Sequence, residues 1–151
     1  MNRLVRTTSL SLSLALALAA LTTTALAKDI AKDPIARARM ELMDQLGQNL
    51  KIIGDMATKK TPFDATAAAA ATSALRADAA KVTDAFEQNT SDPASKALPR
   101  LWDNEGEFWQ KTRRLQKAAD ALDPSSASGL ADGLNALGAS CKDCHGRFKA
   151  D

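Results

Sequence analysis

Within five positions near the C-terminus, Cys141-Lys142-Asp143-Cys144-His145, the chain places both of its cysteines and its only histidine. Two thiols three positions apart, beside one imidazole, admit four chemistries. A structural zinc site takes about four nitrogen or sulfur ligands, more than these residue types supply. A thioredoxin-like dithiol sits at a helix start beside a βαβ unit, and no such unit surrounds this motif. A disulfide between Cys141 and Cys144 would close a very short loop, restrain little and leave His145 without a part. The fourth chemistry is covalent attachment of a c-type haem, in which each thiol bonds one vinyl group of the porphyrin and the adjacent imidazole reaches the iron. It employs all three residues. The expected cofactor is one covalently attached haem c, with Cys141 and Cys144 as thioether anchors and His145 as proximal iron ligand.

The scaffold for such a site has to be found in the rest of the chain. At the N-terminus, Arg3 and Arg6 precede an apolar run that ends at Ala25-Leu26-Ala27, the pattern of a secretory signal with a small-residue cleavage site. Its apolar core, roughly Leu10 to Leu21, is shorter than the ~20 residues of a membrane span. Residues 1–27 therefore read as a signal peptide, residues 28–151 as one exported haem-binding domain, and the compartment as the periplasm. No membrane insertion of the mature chain is expected. Removal of Arg3 and Arg6 from the 20 basic residues leaves 18, against 18 acidic ones. That balance excludes a nucleic-acid binder, which needs a basic excess to displace counterions.

Prolines 34, 62, 93, 99 and 124 divide the domain into long proline-free segments, and four helices fit between them. Asp33-Pro34 has the form of an N-cap followed by a first-turn proline, opening a helix to about Ala57. Along it, positions 35, 39, 42, 46, 49, 53 and 36, 40, 43, 47, 50, 54 form two adjacent rows of mainly apolar or small residues. Asp64 can cap a second helix through the alanine-rich stretch to about Phe86 or Gln88, since alanine is the strongest helix former. A third is predicted from Trp102 or Glu105 to Leu122, and a fourth from about Ser128 to Phe148. The fold class is all-α, an antiparallel four-helix bundle.

In that arrangement the first and fourth helices are antiparallel neighbours. His145 then lies ~5 to 8 Å from one end of the bundle, Met40 and Met43 ~10 to 15 Å from the same end, and Met56 ~35 Å away. Met40 or Met43 can thus face the iron from the distal side. Met43 is preferred because Gly47, one turn on, removes bulk where a flat macrocycle must lie. Arg39, one turn before, offers a guanidinium to a haem propionate. The alternative is that both methionines are ordinary core residues.

Several stretches resemble the class II cytochromes c, which comprise cytochrome c-prime and low-spin relatives of the c-556 type. They are Arg39-x-x-x-Met43-x-x-x-Gly47-x-Asn49, Ile53-Gly54, Pro62-Phe63-Asp64, Phe86, Pro99-x-x-Trp102 with Phe108, and Gly138-x-Ser140-Cys141-x-x-Cys144-His145-x-x-Phe148-Lys149. The resemblance covers essentially the whole of residues 28–151 and implies a left-twisted four-helix bundle. It implies thioether bonds at Cys141 and Cys144, a proximal His145, Arg39 beside a propionate, and Met43 at the distal position. It also implies a basic Lys149 flanking the proximal imidazole, for which a solvated terminal charge is the plain alternative. Trp102, Phe108 and Trp109 are expected in the core or against the haem.

The resemblance leaves two functions open. A methionine bound to iron, as in c-556-like members, gives a low-spin haem suited to electron transfer with redox partner proteins. An open site, as in cytochrome c-prime, binds nitric oxide or carbon monoxide. An enzyme is disfavoured, since no second imidazole, tyrosine or further thiol is present. A homodimer through the first two helices is allowed.

Overall fold

The computed structural model describes residues 31–151. The expected signal peptide, residues 1–27, lies outside them. Three of the long helices start at a side chain that accepts an otherwise unpaired backbone N–H, and the first two of these caps, Asp33 and Asp64, are the ones expected from the sequence. Asp33 accepts from Ala36 N–H at 2.7 Å and opens α1, Pro34–Ala57. Asp64 accepts from Ala67 N–H at 2.8 Å and opens α2, Ala65–Ala85.

Of the two starts expected for the third long helix, Trp102 or Glu105, the second is the observed one. A single turn, α3 (Arg100–Asp103), is followed by α4 (Glu105–Asp120). Asn104 breaks the run at φ −133° and ψ 44°, and its side-chain amide donates to the Arg100 carbonyl at 2.8 Å. Ser126 Oγ accepts from Gly129 N–H at 3.0 Å and opens α5, Ala127–Phe148.

Helix α1 packs against α2 and α5, and α4 packs against the same two, so the four long helices form a closed square. Together they make the four-helix bundle that the sequence predicts. Small buried residues on α2, Ala68, Ala71 and Ala79, let its neighbours come close.

Two apolar clusters fill the bundle. One holds Ile53 and Met56 of α1 with Leu75 of α2 and Leu130 and Leu137 of α5. The other, toward the start of α1 and the end of α5, holds Leu42, Val82, Leu101, Phe108 and Phe148. Phe108 is its centre, with ring centroids 5.3 Å from Phe86 and 5.6 Å from Phe148. Each such side chain taken out of water contributes roughly 1.5–3 kcal/mol before chain entropy is subtracted.

The link between α2 and α3 crosses this second end as a strap, and polar contacts hold it at three places. Asp92 accepts backbone N–H groups of Lys32 and Asp33 at 2.8 and 2.9 Å, tying the strap to the start of α1. Arg39 reaches up from α1 to the carbonyls of Ala85, Gln88 and Thr90. Farther on, an isolated bridge between Ala97 and Lys149 joins the strap to the end of α5, with Leu98 N–H donating to Phe148 O at 2.9 Å.

Candidate haem site

Between the strap and the helices lies a cavity of about 620 Å³. That is within the ~300–1,000 Å³ usual for cofactor pockets. One wall belongs to α5 and carries Cys141, Cys144 and His145; the facing wall belongs to α1 and carries Met40, Met43 and Gly47. The residues expected to hold a haem therefore meet at one cavity, although more than ninety positions separate the two groups in sequence.

Both cysteines are half-buried free thiols. Burial raises the Cys141 pKa, with Ser140 pulling the other way. It pushes Cys144 up to about 11 despite the opposing pull of the Lys111 ammonium. Near neutral pH both are protonated thiols, and they would hold a haem through thioether bonds.

His145 stands at the rim, where partial desolvation and then the Lys149 ammonium lower its pKa. Both effects favour the neutral imidazole that a metal requires. Lys149 also lines the cavity, and its N–H donates to the His145 carbonyl at 3.0 Å. Among the described residues no group of three or more His, Cys, Asp or Glu side chains could hold a metal ion. Two thiols and one imidazole on one wall of the cavity would suit a c-type haem, held by Cys141 and Cys144 with His145 offered to its iron.

On the facing wall, Met43 packs against the Phe108 cluster that Cys144 also touches. Met40 lines the cavity and Met56 is buried in the far cluster. A Cβ added at Gly47 would meet nothing within 4 Å. The glycine thus leaves space along α1 one turn beyond Met43.

Arg39 lines the same cavity but is only 2 % exposed. Its Nε donates to Ala85 O at 2.7 Å and its terminal nitrogens to Gln88 O and Thr90 O. The guanidinium lies 5.3 Å from the Phe86 ring centroid and 5.1 Å from that of Trp102. Trp102 is itself anchored by its indole N–H to Phe86 O at 2.9 Å. Arg39 thus ties α1 to the end of α2 and to the strap.

Two aromatic expectations hold, since Phe108 is buried and Trp102 packs against its cluster; Trp109 is a correction. It is 43 % exposed and outside the cavity wall, because α4 turns Phe108, Lys111, Thr112 and Ala119 inward and position 109 falls on the outward face.

Sequence reasoning missed Lys111, which is buried and lines the cavity. The available signal was its place three residues after Phe108 on the inward row of α4. It also missed the strap, whose residues 94–97 border the cavity. A polar loop carries no periodicity that reveals where it lies.

A family model described as Cytochrome C' matches residues 34–149. The chain is 31% identical over 114 residues to cytochrome c-556 of Agrobacterium fabrum, covering 74% of this chain and 77% of that one. It is 30% identical over 133 residues to cytochrome c-554 of Cereibacter sphaeroides, covering 83% and 87%. Among solved structures, cytochrome c' from Rhodobacter Spheriodes matches with a TM-score of 0.71 at 25% identity, over 78% of this chain and 95% of that one. The family match begins at the first residue of α1 and ends one residue beyond α5, so it contains both walls of the cavity. On these grounds the chain belongs to the cytochrome c' family of class II, c-type haem proteins.

Proposed function

We propose that the chain is a periplasmic electron carrier with one haem c, bound through Cys141 and Cys144 and ligated by His145 and Met43 in a low-spin state. The observation that carries this reading is the shared packing of Met43 and Cys144 against one apolar cluster, from facing walls of one cavity. The haem supplies reversible one-electron exchange. The chain supplies position and dryness. Residues on two long helices need not move between oxidation states, and Leu42, Phe108 and Phe148 exclude water. Thioether ligation and burial are the levers that set the potential.

The reading extends to redox partner proteins that dock near the cavity mouth. It makes the chain a carrier, not an enzyme. Among the described residues no helix is long and apolar enough to cross a membrane. A homodimer through α1 and α2 is supported by the small exposed row Ala69, Ala70, Ser73, Ala77 and Ala80 on α2.

A second reading, five-coordinate iron that takes up nitric oxide or carbon monoxide, is favoured by the likeness to a solved cytochrome c'. The spectrum of the ferrous protein separates the two. Narrow split bands that carbon monoxide leaves unchanged are expected for Met43 ligation. A broad high-spin band that shifts with the gas would overturn it in favour of the open site.

A further inference from the structure

Lys111 takes no part in haem attachment, yet it is the one buried lysine among the described residues. Its Nζ lies 2.8 Å from Asp143 Oδ2 and 3.6 Å from Glu107 Oε1. Asp143 stands between the two cysteines and also meets Arg114 at 3.5 Å, while Glu107 meets Arg147 at 3.3 Å. Of these five charged residues only Lys111 lines the cavity.

Exposure separates them further. The Lys111 side chain is 10 % exposed, against 47 % for Asp143 and 40 % for Glu107. Water screens a half-exposed carboxylate far more than a buried ammonium, and the energy of a charge in a cavity varies inversely with the local dielectric constant. The cavity therefore sees the cation more strongly than the anions that hold it. At the Cys144 thiol the pull of Lys111 exceeds the opposing push of Asp143 or of Glu107 taken singly.

We propose that Lys111 is a potential-setting residue, a buried positive charge tethered by Asp143 to the turn between the cysteines and favouring the reduced protein. The inference rests on the haem reading of the cavity. Reduction adds one electron from an electrode or mediator to ferric iron. No bond forms or breaks, and Lys111 keeps its proton throughout. The added negative charge is stabilised by the fixed cation and opposed by the carboxylates.

The rival role is a mechanical clamp between α4 and α5, and the signs of the redox shifts distinguish the two. Redox titration and thermal unfolding are measured on the haem-loaded parent protein and on Lys111→Met, Lys111→Arg, Asp143→Asn and Glu107→Gln. At fixed ambient potential, Lys111→Met is expected to shift the ferrous-to-ferric ratio toward ferric by about three- to tenfold. Asp143→Asn and Glu107→Gln are expected to shift it toward ferrous by less, and Lys111→Arg to keep the parent ratio. Lowered thermal midpoints with unmoved potentials, or shifts of one sign for both kinds of variant, would overturn the proposal and leave the clamp. If Lys111→Met does not accumulate with haem, Glu107→Gln at its half-exposed site carries the test, and any result other than a shift toward ferrous sinks the idea. Absence of a pyridine haemochrome from the parent protein would instead overturn the haem reading beneath it.

Discussion

At the scale of single residues, Met43 and Arg39 sit one turn apart on α1 and invite opposite experiments. Met43 is half-buried on the cavity wall and packs against the Phe108 cluster, and under the proposed function its thioether is the distal ligand. Met43→Ala is expected to convert a low-spin ferrous spectrum into a high-spin one that responds to carbon monoxide; retention of low-spin bands would move the distal assignment to Met40 or another ligand. Arg39 is committed to the strap. Arg39→Met should cost about 1–3 kcal/mol in urea unfolding, because it removes a buried guanidinium that bonds the half-buried Ala85 carbonyl and the Gln88 carbonyl and stacks on two rings. Lys at this position would not restore the loss, lacking the planar fork that reaches several carbonyls at once. A potential shift in Arg39→Met with stability unchanged would instead favour the propionate role. The difference between the two residues shows what was legible in sequence. The methionine's height along the bundle follows from counting residues, but the partners of Arg39 lie in a loop whose path no periodicity encodes.

At the scale of elements, the helix starts were readable because Asp33, Asp64 and the Pro34 ring act within a few residues of themselves. The break at Asn104 was readable only as one of two starts, Trp102 or Glu105, because the choice depends on the Asn104 backbone and its side-chain bond to Arg100 O. The end of α1 shows the local physics most directly. Lys60 N–H donates to Asp55 O and Lys59 N–H to Met56 O, the paired bonds of a Schellman turn, and Lys59 occupies the left-handed position at φ 60°. Lys59→Gly relieves that conformation and is expected to raise stability by about 0.5–1 kcal/mol, less whatever entropy the unfolded chain gains. A drop in the unfolding midpoint would show that the lysine side chain matters more than its backbone. At the start of α5 the reverse holds. A Cβ on Gly129 would lie 2.7 Å from Asp123 O, so Gly129→Ala should destabilise by about 1–3 kcal/mol despite alanine's better helix propensity. Gly47→Ala meets no such neighbour and should leave the stability of the haem-free chain unchanged or raised.

At the scale of the whole molecule, the two ends of the bundle are held by different forces. The end around Met56 is built on an apolar cluster, edged by Asp55 with Lys51 and Lys60 and by Asp123, while the cavity end is closed by a strap pinned through Asp92. Backbone N–H groups of Asp33 and Ala94, with that of Lys32, hold the Asp92 carboxyl below its ordinary pKa of 3.8. Asp143 at the cysteine turn is held low chiefly by Lys111. For a carboxylate depressed in the folded state, the stabilisation is fully present above the unfolded pKa of about 4 and is lost as pH falls through the lower folded value. Acid should therefore weaken the cavity end through Asp92 and Asp143, as it weakens the far end through Asp55 and Asp123. Asp92→Asn tests the contribution of the strap. Its unfolding midpoint is expected to lie below the parent's at pH 7, and the two should converge as pH falls below about 4, where the parent carboxylate takes up the proton that the amide already mimics. Hydrogen exchange adds the location, with faster exchange expected at the Lys32, Asp33 and Ala94 amides in the variant and little change around Ile53 and Leu130. Parallel midpoints down to the lowest pH would mean that Asp92 holds the strap by shape alone, and that the acid sensitivity of the cavity end lies at the cysteine turn.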